Sequence, residues 1–120
     1  MSPNGFKVML TALTESDPLR HIYDARFFGI HYRLCISGST IEILNADLDD
    51  KPIGKIHGSP SEGFIWRGNL NCIARYTYNS AKGYTVMPIE DGVPQPKKAT
   101  SVHPIDYFFA YWRDLQNAAR

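Results

Sequence analysis

The residues of this chain best suited to acid–base chemistry are its histidines, because an imidazole titrates near neutral pH. They are His21, His31, His57 and His103. None has a neighbouring motif that would supply a nucleophile or an orienting group. His103 precedes a proline at the expected start of a helix, where a capping role is usual, and His31 lies on the polar side of a predicted strand. The histidines therefore allow a small enzyme as a hypothesis, but we assign no catalytic residue.

A cluster of oxygen-bearing side chains at Asn45, Asp47, Asp49 and Asp50 begins in the manner of a calcium-binding loop. The sixth position of such a loop should be glycine and the twelfth glutamate. Counted from Asn45, those positions are Asp50 and Ile56. We therefore predict no metal site here and expect an acidic, exposed turn that offers a docking surface.

Other short motifs also lack the context that their chemistry needs. Cys35 and Cys72 have no C-x-x-C spacing, so we expect buried, reduced thiols, with a bridge between neighbouring strands as the alternative. The Gly/Ser segments at 37–40 and 58–61 lack the Gly-Lys-Ser/Thr sequence and the helix of a phosphate loop. We interpret both segments as turns and expect no cofactor.

A predicted hairpin near residue 80 combines basic and aromatic side chains, as do sheets that bind single-stranded nucleic acid. Its rings are Tyr76, Tyr78 and Tyr84. The basic residues of such a surface would be Arg75, Lys82, Lys97 and Lys98. However, Tyr76 and Tyr78 share a face that resembles core, whereas Arg75 points the other way. Nucleic-acid binding is therefore an alternative hypothesis.

The last twenty residues, 101–120, predict the element around which the fold is organised. At about 100° per residue, one side of a helix here is continuously apolar. That side consists of Ile105, Phe108, Phe109, Trp112 and Leu115. Tyr107 and Tyr111 form a second stripe beside it. The stripe is either a second core surface, with the helix between the sheet and the 92–100 linker, or a protein interface.

The preceding chain predicts a first strand over residues 6–13 and then a short helix, with Leu19, Ile22, Tyr23 and Phe27 as its apolar stripe. A strand through Ile22 to Phe28 is the alternative to this helix. Alternation from residue 28 onward predicts a series of antiparallel strands joined by short turns, followed by a linker over 90–98. The expected fold is α+β, a curved antiparallel sheet of about five to seven strands packed against the C-terminal helix.

Composition limits the class of protein. The chain has 120 residues, 43% hydrophobic and 21% charged, which suits a single globular domain over residues 1–120. Its net charge of +1 gives no overall attraction to nucleic acid or to an anionic membrane. No apolar run approaches the roughly 18 residues of a membrane span, and no signal-peptide pattern opens the chain. We therefore expect a cytoplasmic location.

These observations favour a protein-binding module without catalytic activity, acting as an accessory, inhibitor or adaptor protein or as a homodimer. The predicted contact residues are Tyr107, Tyr111 and Asp114 on the helix, together with Asp47, Asp49 and Asp50 in the acidic turn. Aromatic side chains near the centre of such a patch usually supply most of its binding energy. The alternatives are the basic and aromatic hairpin as a nucleic-acid-binding surface and, second, a small histidine enzyme.

Overall fold

The strands of this protein follow one another across a sheet in the order of the sequence. The computed structural model describes residues 9, 10 and 13–118, and in that part nine antiparallel strands form one sheet. They are β1 (Thr14–Asp17), β2 (Ile22–Phe27), β3 (Ile30–Ser37), β4 (Thr40–Asn45), β5 (Lys51–Gly58), β6 (Glu62–Arg67), β7 (Asn71–Asn79), β8 (Gly83–Glu90) and β9 (Val93–Pro94). Helix α1 (Pro104–Ala118) follows them. The structure thus confirms an α+β fold with an antiparallel sheet and a C-terminal helix.

The segment after the N-terminus forms strands where we predicted a short helix. In β2, Tyr23 and Ala25 are buried, while the intervening Asp24 and the following Arg26 are not. Side chains two positions apart share a face only in a strand, so this alternation overrides the helical spacing. The helix prediction is wrong, and the strand alternative is correct. The strand predicted over 6–13 falls mostly outside the described residues.

The sheet is also wider than the five to seven strands that we predicted. The additional strands are β1 and β2, which replace the predicted helix, and β9, which lies in the predicted linker. Backbone hydrogen bonds at 2.9 Å join Val86 to Thr100 in both directions, and Gln95 N donates to Pro88 O at 2.8 Å. Residues 93–100 therefore cover the edge of β8 and satisfy groups that an open edge would leave unpaired.

One face of the sheet and the predicted apolar side of α1 form the core. The ring of Phe109 stacks on Phe27 of β2, with centroids 4.1 Å apart and planes inclined by 14°, and its centroid lies 4.7 Å from that of Tyr32. Phe108 lies directly against Gly54 of β5, where an added Cβ would collide with the ring. Glycine at this position thus lets the helix approach the sheet.

Burial along α1 follows the predicted face in part. Ile105, Phe108 and Phe109 are buried, whereas Trp112 and Leu115 are only half-buried towards the end of the helix. None of the helical segments in the described ranges has the length and apolar character needed to cross a membrane.

Candidate functional site

The outer side of α1 presents Tyr107, Tyr111 and Asp114, which together we call the helix flank. Both tyrosines are half-buried and pack against the edge of the core, while the Asp114 side chain is 72% exposed. Burial raises the pKa of Tyr107, as do the neighbouring Tyr111 and the carboxylate of Glu90 at the end of β8. The stripe therefore packs against the core on one side and reaches solvent on the other, and its role as a protein interface stays a prediction.

The acidic turn, by contrast, is used to hold β3 in place. Asp47 accepts a hydrogen bond from the His31 backbone N–H at 3.1 Å, and its own N–H donates to Asn45 Oδ1 at 3.0 Å. Asp50 forms an ion pair with Arg33, with 2.6 Å between Oδ1 and Nη1. These carboxylates stabilise a turn between β4 and β5, as expected for an acidic surface turn.

The acidic turn and the helix flank lie at different places in the fold. The turn follows β4, whereas Tyr107 lies beside the end of β8, four strands further along the sheet. The Asp49 side chain has no hydrogen bond or ion pair within the described part of the chain, and the residue's φ of 55° places it in the left-handed region. The structure therefore brings Tyr107, Tyr111 and Asp114 together but does not add the acidic turn to them.

The basic and aromatic hairpin separates its rings from its charges. Tyr76 is fully buried, and Arg75 is exposed on the opposite face, where its strand neighbours are Phe64 and Met87. Tyr78 and Tyr84 lie together on the Tyr76 side, with ring centroids 4.9 Å apart. These rings and Arg75 thus cannot meet one strand of nucleic acid from the same side.

The remaining basic residues of that hypothesis lie at the end of the hairpin and in the segment beside β8. Lys82 is exposed in the turn between β7 and β8, and Lys97 is exposed in the short turn Pro96–Lys98. Lys98 forms an ion pair with Glu90 at 2.9 Å, and the carboxylate offsets the positive charge of the lysine.

A polar cleft of about 510 Å³ on the outer face of β2 and β3 contains a histidine–carboxylate pair. His31 Nε2 lies 2.7 Å from Asp24 Oδ1, the distance that an acid–base pair requires. The nearby Ser16 hydroxyl donates to the carbonyl of Ile22, and burial, with Glu42 and Asp50, raises the pKa of the Cys35 thiol. The histidine hypothesis thus gains a pair of residues, but neither neighbouring hydroxyl nor thiol is activated as a nucleophile.

The two cysteines lie in one row across the sheet. Cys35 pairs with Glu42, Glu42 with Lys55, Lys55 with Trp66 and Trp66 with Cys72. Adjacent strands are about 4.8 Å apart, so these steps separate the cysteines by about 19 Å along the sheet. Both are free and half-buried, and the bridge between neighbouring strands is wrong.

An apolar cavity of about 490 Å³ lies beside the start of α1. Its walls are Met9, Leu13, Phe27, Pro60, Ser61, Tyr78, Tyr84, His103, Ile105 and Asp106. These residues come from separate segments of the chain, so no local pattern predicts their meeting. The sequence signal related to this cavity is the aromatic hairpin, because its Tyr78 and Tyr84 line the cavity. We had interpreted these rings as a base-stacking surface.

His103 lines the cavity, and both of its ring nitrogens are already engaged. Its Nδ1 accepts a hydrogen bond from the Ile105 N–H at 3.1 Å, and its Nε2 lies 3.0 Å from the carbonyl oxygen of Met9. The ring also meets Tyr84 edge-on, with centroids 4.9 Å apart. His103 therefore caps the helix, as we expected from its position before Pro104.

Within the described ranges, no three His, Cys, Asp or Glu side chains are grouped as metal ligands. Comparisons of the chain with protein families, with curated proteins and with solved structures each found no significant match.

Proposed function

We propose that this protein binds another protein through the helix flank. The observation that carries the proposal is the position of Tyr107 and Tyr111, which are anchored against the core and still partly open to solvent. A tyrosine held in this way offers a large contact area at little entropic cost and keeps its hydroxyl for the wet rim of an interface. The exposed Asp114, 3.4 Å from Arg113, supplies a polar group beside the rings.

The flank is bordered by charges of both signs. Asp114 Oδ1 lies 3.4 Å from Arg113 Nη2, and Glu90, close to Tyr107, is paired with Lys98 at 2.9 Å. A tyrosine surface with such a polar rim suits a partner that has an apolar patch and a polar rim of its own. The proposal takes that partner to be an unlike protein.

The test is a capture experiment from the source cells with matched variants. Tyr111→Ala and Asp114→Lys change the flank, and Tyr78→Ala removes a tyrosine that is 48% exposed elsewhere on the molecule. An interface aromatic contributes more than about 1 kcal/mol when it is a binding anchor, so Tyr111→Ala should weaken capture by about fivefold or more. Tyr78→Ala should bind the same protein as the unmodified chain.

The variants must also be shown to fold, because Tyr111 is half-buried. Asp114→Lys tests the same flank without this difficulty, since it replaces an exposed helix residue and removes no core contact. If Asp114→Lys and Tyr111→Ala both capture the partner as strongly as the unmodified chain, the helix flank is not the interface. A stable dimer by light scattering that Asp114→Lys leaves unchanged contradicts the proposal equally.

A further inference from the structure

The apolar cavity at the start of α1 is a second candidate site of this fold. Its volume of about 490 Å³ lies within the range of roughly 300 to 1,000 Å³ that ligand pockets occupy. The walls are mainly aliphatic and aromatic, with a few polar groups, which is the usual composition of a small-molecule site. We infer that this cavity binds a small apolar amine, and this inference is independent of the helix flank.

The polar groups of the cavity show which chemistry remains free to meet a ligand. Both nitrogens of His103 are engaged, and the Tyr84 hydroxyl donates to the carbonyl of Pro60 at 3.2 Å. The Tyr78 hydroxyl has no hydrogen-bond partner within the described part of the chain. Tyr78, which lines the cavity, can therefore accept a hydrogen bond from a ligand or donate one to it.

The charge of the cavity selects for a cation. Asp106 is the one charged side chain among the described residues that line it, and it is exposed to solvent. The rings of Tyr78 and Tyr84 lie 4.9 Å apart and both line the cavity, so a ligand there meets aromatic surface. An ammonium group is attracted both by a carboxylate and by aromatic faces, whereas a carboxylate ligand would be repelled by Asp106.

The apolar remainder of the ligand would lie against Leu13, Phe27 and Ile105. Phe27 is itself fixed by stacking on Phe109, and Ile105 is almost fully buried. Walls that are already held in place lose little conformational freedom when a ligand binds, which favours affinity. The expected ligand is therefore an aliphatic or aromatic group that ends in a protonated amine.

Three eight-carbon probes that differ only in their head group test the inference. Octylamine, 1-octanol and octanoate would be titrated into the full chain at neutral pH by calorimetry. We expect saturable 1:1 binding of octylamine, about fivefold weaker binding of octanol, and the weakest binding for octanoate, because an exposed carboxylate adds a modest attraction. Asp106→Asn should remove the difference between the amine and the alcohol.

Two further variants locate the site. Tyr78→Ala, which removes a cavity wall at an exposed position, should weaken octylamine binding by about tenfold, whereas Leu70→Ala, at a residue that is 95% exposed and remote from the cavity, should not change it. Tyr111→Ala should also keep octylamine binding, which separates this result from the proposed protein interface. Absence of saturable binding, octanoate binding as tight as octylamine, or binding unaffected by Tyr78→Ala would overturn the inference.

Discussion

The imidazole Nε2 of His103 lies 3.0 Å from the carbonyl oxygen of Met9, 94 residues earlier in the chain. A carbonyl oxygen only accepts hydrogen bonds, so Nε2 must carry the proton. Nδ1 accepts from the Ile105 N–H and must be unprotonated. The contact therefore requires the neutral imidazole, and it joins the start of α1 to the N-terminal segment over the apolar cavity.

Acid should weaken the fold through this histidine. Burial lowers the pKa of His103, although Asp106 and the Met9 carbonyl act in the opposite direction. The unfolded chain, with a histidine pKa of about 6.5, then binds more protons than the folded chain. The stabilising contribution is complete above about pH 6.5 and is lost as the pH falls through the folded-state pKa, with a slope of at most about 1.4 kcal/mol per pH unit.

Urea unfolding at several pH values between 5 and 7.5 measures this effect. His103→Gln should flatten the pH dependence of the unfolding free energy and should lower that energy by about 1 kcal/mol at pH 7.5, the usual value of a helix cap. His57→Gln, at an exposed histidine whose Nδ1 lies 2.8 Å from the Thr40 hydroxyl, is the control. Equal pH slopes for the His103 variant and the unmodified chain would show that His103 does not cause the effect.

Removal of the Phe109 ring should destabilise the protein strongly. Phe109 is 2% exposed and stacks on Phe27, so Phe109→Ala should cost about 3–5 kcal/mol through lost burial and a new cavity. Leu70→Ala, at a turn residue that is 95% exposed, should change stability by less than about 0.5 kcal/mol. Thermal and urea unfolding would compare the two variants, and a similar small loss for both would contradict the assigned core.

The C-terminal helix and most strands could be predicted because their patterns are local. Alternating residues such as Tyr32 and Leu34 are buried on one face, and the spacing of Ile105, Phe108 and Phe109 places them on one side of a helix. In residues 14–27 the apolar residues fit the spacing of a helix and also the alternation of a strand. This segment is a strand because β2 pairs with β3. The helix prediction failed because that pairing is not a local property.

The candidate site was predictable to a lesser extent. The helical spacing of Tyr107 and Tyr111 was enough to assign them to a second stripe. It could not show that this stripe lies near Glu90 of β8, because that neighbour comes from the sheet. The apolar cavity could not be predicted, because Phe27, Tyr78 and Asp106 meet only after the sheet and the helix have packed together.

The cysteine thiols should react slowly in the folded protein. Burial raises the pKa of Cys35 and also that of Cys72, so the thiolate fraction at neutral pH is lower than that of a free cysteine. Labelling with Ellman's reagent at pH 7 should be slow for both thiols and rapid after addition of denaturant. Two reactive thiols should then be counted without prior reduction, and a count of zero would indicate the disulfide that the sheet geometry excludes.

Nucleic-acid binding should be weak, because the rings of the hairpin and the Arg75 side chain lie on opposite faces of the sheet. Fluorescent single-stranded and duplex oligonucleotides would be titrated at low and moderate salt concentrations. We expect no saturable binding at either, whereas real phosphate contacts would give affinity that falls steeply with salt. If Arg75→Ala reduced such affinity, the nucleic-acid hypothesis would be favoured over the protein interface.

Site-specific cross-linking is the most direct test of the proposed protein interface. A photoreactive benzoylphenylalanine would replace Tyr111 in one variant and Leu19, which is 94% exposed and distant from the helix in sequence, in another. In extracts of the source cells, position 111 should cross-link one discrete partner protein, and Asp114→Lys should abolish the product. A partner cross-linked from position 19 and not from position 111, or a product that persists with Asp114→Lys, would contradict binding through the helix flank.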